Sequence, residues 1–309
     1  MARSRNRESN AMVDFNPPHE AYLGIPLFKQ GTAMYEEIRL DVDDPIAVIT
    51  MNRPDRLNAM TTRMLAEIRH ALASAENDER VVGMILTGEG RGFCAGMDMD
   101  ALDGISEDQS FSINTDGLEA EPGDSSMGDD FITGFTYMLS LRKPLIAAVN
   151  GPCAGLGFCF ALLSDMRFVD AGAKFSTAFS QRGLVAEHAV SWLLPRLIGS
   201  SRALDLLWSA RKFDGVEAER LGIADRLCEP GTALTVAKDY INTLATSSSP
   251  TSLMVMKNQV YRHLMMPLGP AMLETQRLMD ESLERPDFRE GVRSFIEGRS
   301  PDFERIKVS

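Results

Sequence analysis

The chain is short of the features that announce the simplest function classes. It holds 32 Lys and Arg against 44 Asp and Glu, a formal net charge of -12 over 309 residues. That balance argues against a nucleic-acid binder, which needs a basic footprint to neutralise phosphate, and mildly against an anionic membrane surface. From Asp100 to Asp130 there is no Lys or Arg at all, so an anionic substrate must meet a basic patch assembled elsewhere. The only cysteines are Cys94, Cys153, Cys159 and Cys228, with no Cys-x-x-Cys pair, and the four His are scattered. A structural zinc site is therefore not expected, no metal is assigned, and reduced thiols in the cytoplasm are the simplest reading. No apolar run reaches membrane-spanning length, and the basic Met1–Glu8 segment is not followed by an apolar signal core. Neither a membrane protein nor a secreted one is expected.

What the chain does have is regular alternation. Its 44% apolar and 25% charged residues are ordinary for a globular protein. Ile38, Leu40 and Val42 alternate with charged residues, and Ile46–Met51 follows across Asp43-Asp44-Pro45, which predicts a strand pair around a short turn. From Thr61 the period lengthens: Met64, Leu65, Ile68 and Leu72 share a helical face, with Glu67, Arg69 and His70 off it. Val81–Leu86 and Leu145–Val149 read as short buried strands, each followed by Gly-rich sequence and then a helix, so the class is α/β. Asp103–Asp130 breaks the rhythm with Gly, Ser, Asp and Glu; it reads either as a lid beside a site or as a solvated excursion. Beyond residue 230 strand signals fade, and Thr232–Thr246, Ser252–His263, Ala271–Leu283 and Phe288–Glu297 read as amphipathic helices. The expected division is an extension over 1–30, poorly ordered, then a core over 31–230 and a helical region over 231–309.

Two loops carry the chemistry. Gly90-Arg91-Gly92-Phe93-Cys94-Ala95-Gly96-Met97-Asp98 follows the Val81–Leu86 strand, and Asn150-Gly151-Pro152-Cys153-Ala154-Gly155-Leu156-Gly157-Phe158 leaves Leu145–Val149 and enters a helix. Small residues let a backbone turn sharply and approach a ligand, and a helix N-terminus offers unpaired N–H groups. Neither loop has the Gly-Lys-Ser/Thr of a P-loop or the dinucleotide Gly-x-Gly-x-x-Gly pattern.

Taken together, these loops resemble those of the crotonase (enoyl-CoA hydratase/isomerase) superfamily. The Ile49–Met60 segment, Leu193-Leu194-Pro195-Arg196-Leu197-Ile198-Gly199 and the Glu290–Arg299 run carry the same resemblance, which spans roughly residues 35–305. It implies a spiral of β-β-α units with a C-terminal helical region that joins chains into a trimer or a dimer of trimers. It also implies an acyl-coenzyme A substrate, with coenzyme A a handle and not a bound cofactor. Two peptide N–H groups, at Met97 and Leu156, would hold the thioester oxygen as it becomes an enolate, flanked by Ala95, Gly96, Asp98 and Gly155. Arg56, Leu57 and Ala59 would line the adenosine end. The lysine that many relatives use near the 3′-phosphate is replaced by Gly298, with Arg299 next to it as a substitute.

The sequence also departs from that pattern. The two glutamates of a hydratase align with Cys159 and Phe179, neither of which can act as a poised carboxylic acid. Phe179 is left as a pocket residue. Glu187, in Gly183-Leu184-Val185-Ala186-Glu187-His188, lies where several isomerases of the superfamily carry a catalytic acid. The alternative for Glu187 is a place in the first turn of the next helix, where the dipole favours acids. His188 is read as structural, Asp98 and Asp165 as holders of backbone turns, and Trp192, Phe93, Phe158 and Phe160 as core or pocket lining. The expectation is a 3-enoyl/2-enoyl-CoA double-bond isomerase with one carboxylate base. A hydratase, a β-dicarbonyl C–C hydrolase and a non-catalytic acyl-CoA binder are the alternatives.

Overall fold

The computed structural model describes residues 35–307, apart from 109 and 114; the expected 1–30 extension lies outside them. Strand β1 (Ile38–Asp43) turns into β2 (Ile46–Met51), and helix α1 (Thr62–Asn77) follows. The Thr61 hydroxyl accepts from the Met64 N–H at 3.0 Å, capping α1. Strand β3 (Gly83–Gly88) leads through the first Gly-rich loop into α2 (Met99–Asp108) and later the short α3 (Tyr137–Ser140). Next come β4 (Leu145–Val149), β5 (Cys153–Ala154), α4 (Leu156–Leu163), β6 (Met166–Asp170) and β7 (Lys174–Ser176). Helices α5 (Val190–Ile198) and α6 (Ser200–Ser209), strand β8 (Phe213–Asp214), α7 (Gly215–Leu221) and β9 (Arg226–Cys228) complete the strand-bearing part. The chain then runs through α8 (Ala233–Ser247), α9 (Pro250–His263), α10 (Leu268–Glu284) and α11 (Pro286–Glu297).

The strands form two sheets. The larger has the order β1-β2-β3-β4-β6-β9 and the smaller β5-β7-β8. Only β1 is antiparallel to its neighbour in the larger sheet. From β4 onward each turn of the chain lays one strand in the larger sheet and one in the smaller, with helices between. Strands β2, β3 and β4 are buried on both faces, as parallel strands covered by helices must be, and this is why they read as continuous apolar runs. One face packs on α1, α4 and α5 through Ile49, Leu86, Ala147 and Phe160. The other packs on α8 through Val48, Ile85, Ile146 and Ile241.

Two expectations need correction. Glu67 is not on the solvent face of α1 but fully buried. Its carboxylate accepts from the N–H groups of Glu36 at 2.8 Å and Glu37 at 2.9 Å and from Arg63 Nε at 2.9 Å, so the chain entering β1 supplies the partners a buried carboxylate requires. The acidic 103–130 segment is not a wholly solvated excursion. Leu118 and Met127 are buried. Buried Glu76 of α1 accepts from the Gly123 N–H at 2.8 Å, Arg69 Nε donates to Ala120 O at 2.8 Å, and Arg142 Nη1 donates to Gly123 O at 2.9 Å.

Candidate active site

The first Gly-rich loop is held from below by Asn58, which is fully buried. Its Nδ2 donates to Glu89 O at 3.0 Å and Gly92 O at 2.8 Å, while its Oδ1 accepts from the Arg53 N–H at 2.9 Å. Three backbone bonds then run between the Leu57–Met60 segment and the loop. Ala95 N–H donates to Leu57 O at 3.0 Å, Met60 N–H to Gly96 O at 2.8 Å, and Asp98 N–H to Met60 O at 2.8 Å. The ladder takes up the Asp98 N–H, and the Gly96 N–H on the other side of Met97 goes to Cys94 Sγ at 3.4 Å. Among the described residues the Met97 N–H itself has no backbone acceptor.

The second loop lies beside the first. Cys94 N–H donates to Pro152 O at 3.0 Å and Ala154 N–H to Cys94 O at 2.9 Å, a parallel bridge between Cys94 and Cys153. Leu156 opens α4, so its N–H belongs to the first turn, where no intrahelical acceptor exists and the helix dipole is positive. Glycine is needed at two contacts. Gly96 has φ 110°, and a Cβ there would also lie 3.1 Å from Ala154 O; at Gly157 a Cβ would sit 2.5 Å from Cys94 O. The two loops therefore pack backbone to backbone, and among the described residues the Met97 and Leu156 N–H groups are among those left without a backbone acceptor.

Glu187 lies in a turn three residues before α5, not in that helix, and Val190 N–H donates to its carbonyl at 2.9 Å. His188 and Ala189 both take left-handed backbone, φ 48° and 64°, a strained pair of the kind that persists where the surroundings over-determine it. The Glu187 carboxylate is half-buried and has no hydrogen-bond or ion-pair partner among the described residues. Burial alone raises its pKa above the ordinary glutamate value. Its neighbour is Cys159, whose thiol is pushed up first by burial and then by the charge of Glu187. Cys159 stands three residues after Leu156 on α4, on the same helical face, and its Sγ donates to Gly155 O at 3.3 Å. The carboxylate is thus tied by proximity to the helix whose first amide is free.

Other expected residues fall as follows. The ring of His188 packs at 4.8 Å from Phe135, which lies 5.0 Å from Phe160, and burial lowers the His188 pKa. Phe135 packs on His188 beside Glu187, and the sequence carried no signal for it because it comes from the irregular turns between the acidic 103–130 segment and α3. Phe93, Phe158 and Phe160 are fully buried, and Phe179 is nearly so. Trp192 is half-buried beneath Arg196, whose guanidinium carbon sits 3.9 Å from the ring centroid. Leu184 and Val185 are exposed. Asp98 is buried, pairs with Arg53 Nη1 at 2.9 Å and accepts from the Asp100 N–H at 3.0 Å; its carboxylate caps the start of α2. Arg53 also donates from Nη1 to Ala59 O at 2.5 Å. Of the two arginines expected near coenzyme A, Arg56 is exposed with no side-chain partner among the described residues. Arg299 is instead held by Glu290 at 2.5 and 3.0 Å and by Glu297 at 2.6 Å. Among the described residues no group of His, Cys, Asp and Glu could hold a metal ion, and no helix is long and apolar enough to cross a membrane.

Comparison with known proteins identifies the family. The family model for enoyl-CoA hydratase/isomerase matches residues 41–306. The chain is 32% identical over 276 residues to the 1,2-epoxyphenylacetyl-CoA isomerase of Escherichia coli (strain K12), covering 87% of this chain and 99% of that protein. It is 31% identical over 284 residues to the enoyl-CoA hydratase ACTT3 of Alternaria alternata, 90% of each. The crystal structure of an enoyl-CoA hydratase/isomerase from Mycobacterium paratuberculosis superposes with a TM-score of 0.75 at 28% identity, over 87% of this chain and 99% of that one. The molecule has the crotonase fold, with its helical region C-terminal to the spiral. This chain belongs to the enoyl-CoA hydratase/isomerase family and is an enzyme of that family.

Proposed function

We propose that the protein isomerises enoyl-CoA thioesters, moving a double bond between the 3 and 2 positions with Glu187 as the single base. The observation that carries this reading is the Glu187 carboxylate: half-buried, without a counter-ion, with its pKa raised by burial, and beside the helix that opens at Leu156. A base of this kind takes the proton from C2 of a 3-enoyl thioester. The C–H electron pair moves toward the thioester oxygen, and the Met97 and Leu156 N–H groups stabilise the negative charge there. The same carboxyl returns the proton to C4 as the carbonyl re-forms, which leaves a C2–C3 double bond. Nothing is added and nothing leaves, so one carboxylate is enough. Cys159 stands where a second acid would be needed for hydration, and its buried, neutral thiol does not replace one. The isomerase named among the relatives supports the reading. The hydratase named beside it keeps water addition as the outcome to exclude.

Coenzyme A enters as part of the substrate. Arg56, with no carboxylate partner, is proposed to meet its phosphates beside the Leu57–Ala59 backbone. Arg299, already engaged by two carboxylates, is the weaker candidate. The test is incubation with 3-enoyl- and 2-enoyl-CoA esters of several lengths, followed by mass and chromatographic analysis. Conversion at constant mass is expected. A gain of one water would replace isomerisation with hydration, cleavage of a β-dicarbonyl thioester with a C–C hydrolase, and binding without any turnover with a non-catalytic acyl-CoA protein.

A further inference from the structure

Cys94 sits at the seam of the two loops, and the proposed chemistry gives it no part. Its backbone makes two of the bonds that join them, to Pro152 O and from the Ala154 N–H, beside the bond from the Phe93 N–H to Pro152 O at 3.1 Å. Its side chain is fully buried and works on both loops at once. The sulfur accepts from the Gly96 N–H at 3.4 Å, one residue before the free Met97 amide. On the other side it abuts the first turn of α4: a Cβ placed on Gly157 would lie 2.7 Å from Cys94 Cβ and 2.9 Å from its Sγ. Gly157 is one residue after the free Leu156 amide. A single sulfur therefore sets the orientation of one amide-bearing turn and the distance of the other.

We propose that Cys94 is a positioning residue whose sulfur fixes the spacing between the Met97 and Leu156 N–H groups, and so tunes how strongly they polarise a bound thioester carbonyl. The inference rests on the oxyanion reading of those two amides. Sulfur suits the role in size and as a soft acceptor. Burial lifts the thiol to about 12, so it stays uncharged at physiological pH and puts no negative charge beside a developing enolate. It also makes the thiol a poor nucleophile, which is consistent with positioning and not with covalent catalysis.

The test reads the carbonyl directly. Saturated acyl-CoA thioesters labelled with ¹³C at the carbonyl are bound to the full-length protein, and the infrared C=O band is compared with that of the free thioester. Wild type is expected to shift the band to lower frequency. Cys94→Ala should reduce that shift and lower kcat about tenfold, as a small misplacement of catalytic groups does, with KM within about twofold because the handle contacts are untouched. Cys94→Ser keeps an acceptor for the Gly96 N–H and should recover part of both effects. Cys228→Ala removes a buried thiol from the layer that packs on α8, on the other face of the larger sheet from Cys94; it should lower the melting temperature but leave the carbonyl band unchanged. If Cys94→Ala keeps the full wild-type shift and kcat, the role of Cys94 is overturned while the two-amide reading stands. If wild type itself shows no shift, the oxyanion reading fails, and the Cys94 proposal fails with it.

Discussion

At the residue scale, an unpaired carboxylate in a half-buried turn has a thermodynamic signature that can be read apart from its proposed catalytic role. The folded-state pKa of Glu187 is raised by burial, so the folded state favours the protonated form. The stability contributed by that proton is fully present below the unfolded-state value of about 4.3 and is lost as pH rises through the higher folded-state value. Glu187→Gln should therefore melt at a higher temperature than wild type near pH 7, with the gap closing below about pH 4, while turnover falls by at least about 100-fold. Calorimetry across pH checks the first expectation and steady-state kinetics the second. Equal melting curves at pH 7 would mean that Glu187 carries no burial cost. The acid limb of the kcat/KM profile should lie above the range of an exposed glutamate, because the free enzyme's base must lose its proton first. The position of Glu187 was legible through resemblance, but its lack of partners was not. Arg182 and His188 stand close to it in sequence, yet Arg182 donates to Ala178 O at 3.1 Å and the His188 ring packs on Phe135; only the fold decides which groups arrive. Glu67 is the converse: its place on α1 read as solvent-facing, and two amides of the entering chain overrode that pattern.

At the element scale, α9 is tied to the sheet through one carboxylate. Asp165 accepts from Lys257 Nζ at 2.8 Å, from the Tyr261 hydroxyl at 3.0 Å and from the Leu145 N–H at 2.7 Å. Lys257 is almost fully buried, so Asp165→Ala would leave a buried ammonium without its counter-ion and should destabilise the fold by about 3–5 kcal/mol. Urea titration reads that loss; a change below about 1 kcal/mol would indicate an ordinary surface pair. The strands were legible because β2, β3 and β4 are covered on both sides, and α1 because its apolar residues recur at helical spacing. In the C-terminal region, the pattern predicts a helix over Ala271–Leu283, yet Leu268-Gly269-Pro270 already forms the first turn of α10, where the missing amide of proline is no loss. The 103–130 segment was the least legible. Its order comes from Glu76, Arg69 and Arg142, whose bonds reach it across 19 to 51 residues of sequence, and no local pattern encodes such a bond.

At the scale of the whole molecule, the C-terminal helices leave apolar surface uncovered. Phe295 is 87% exposed, Ile296 77% and Leu273 77%. A groove of about 630 Å³ lies among Met256, Phe288, Val292 and Phe295. Apolar surface of this extent marks an interaction face, and we propose that copies of this chain cover it in a trimer or a pair of trimers. Light scattering coupled to gel filtration should give a multiple of three chains. The double variant Phe295→Asp with Ile296→Asp should shift the population toward single chains. A wild type that elutes as a monomer at micromolar concentration would remove the proposal.

The ladder between Leu57–Met60 and the first loop, and the bridge between Cys94 and Cys153, bear on how this enzyme can diverge. Both proposed donors are main-chain groups, so the side chains at 97 and 156 are free to change and reshape the acyl pocket without touching the chemistry. Length is a different matter. One residue gained or lost between Cys94 and Met97, or between Cys153 and Leu156, turns an amide away from the shared point. On the two-amide reading, substrate range is expected to drift by substitution, whereas insertions and deletions in these loops should abolish the reaction. A mutational library over the site should show tolerance by residue type and near-total intolerance by loop length.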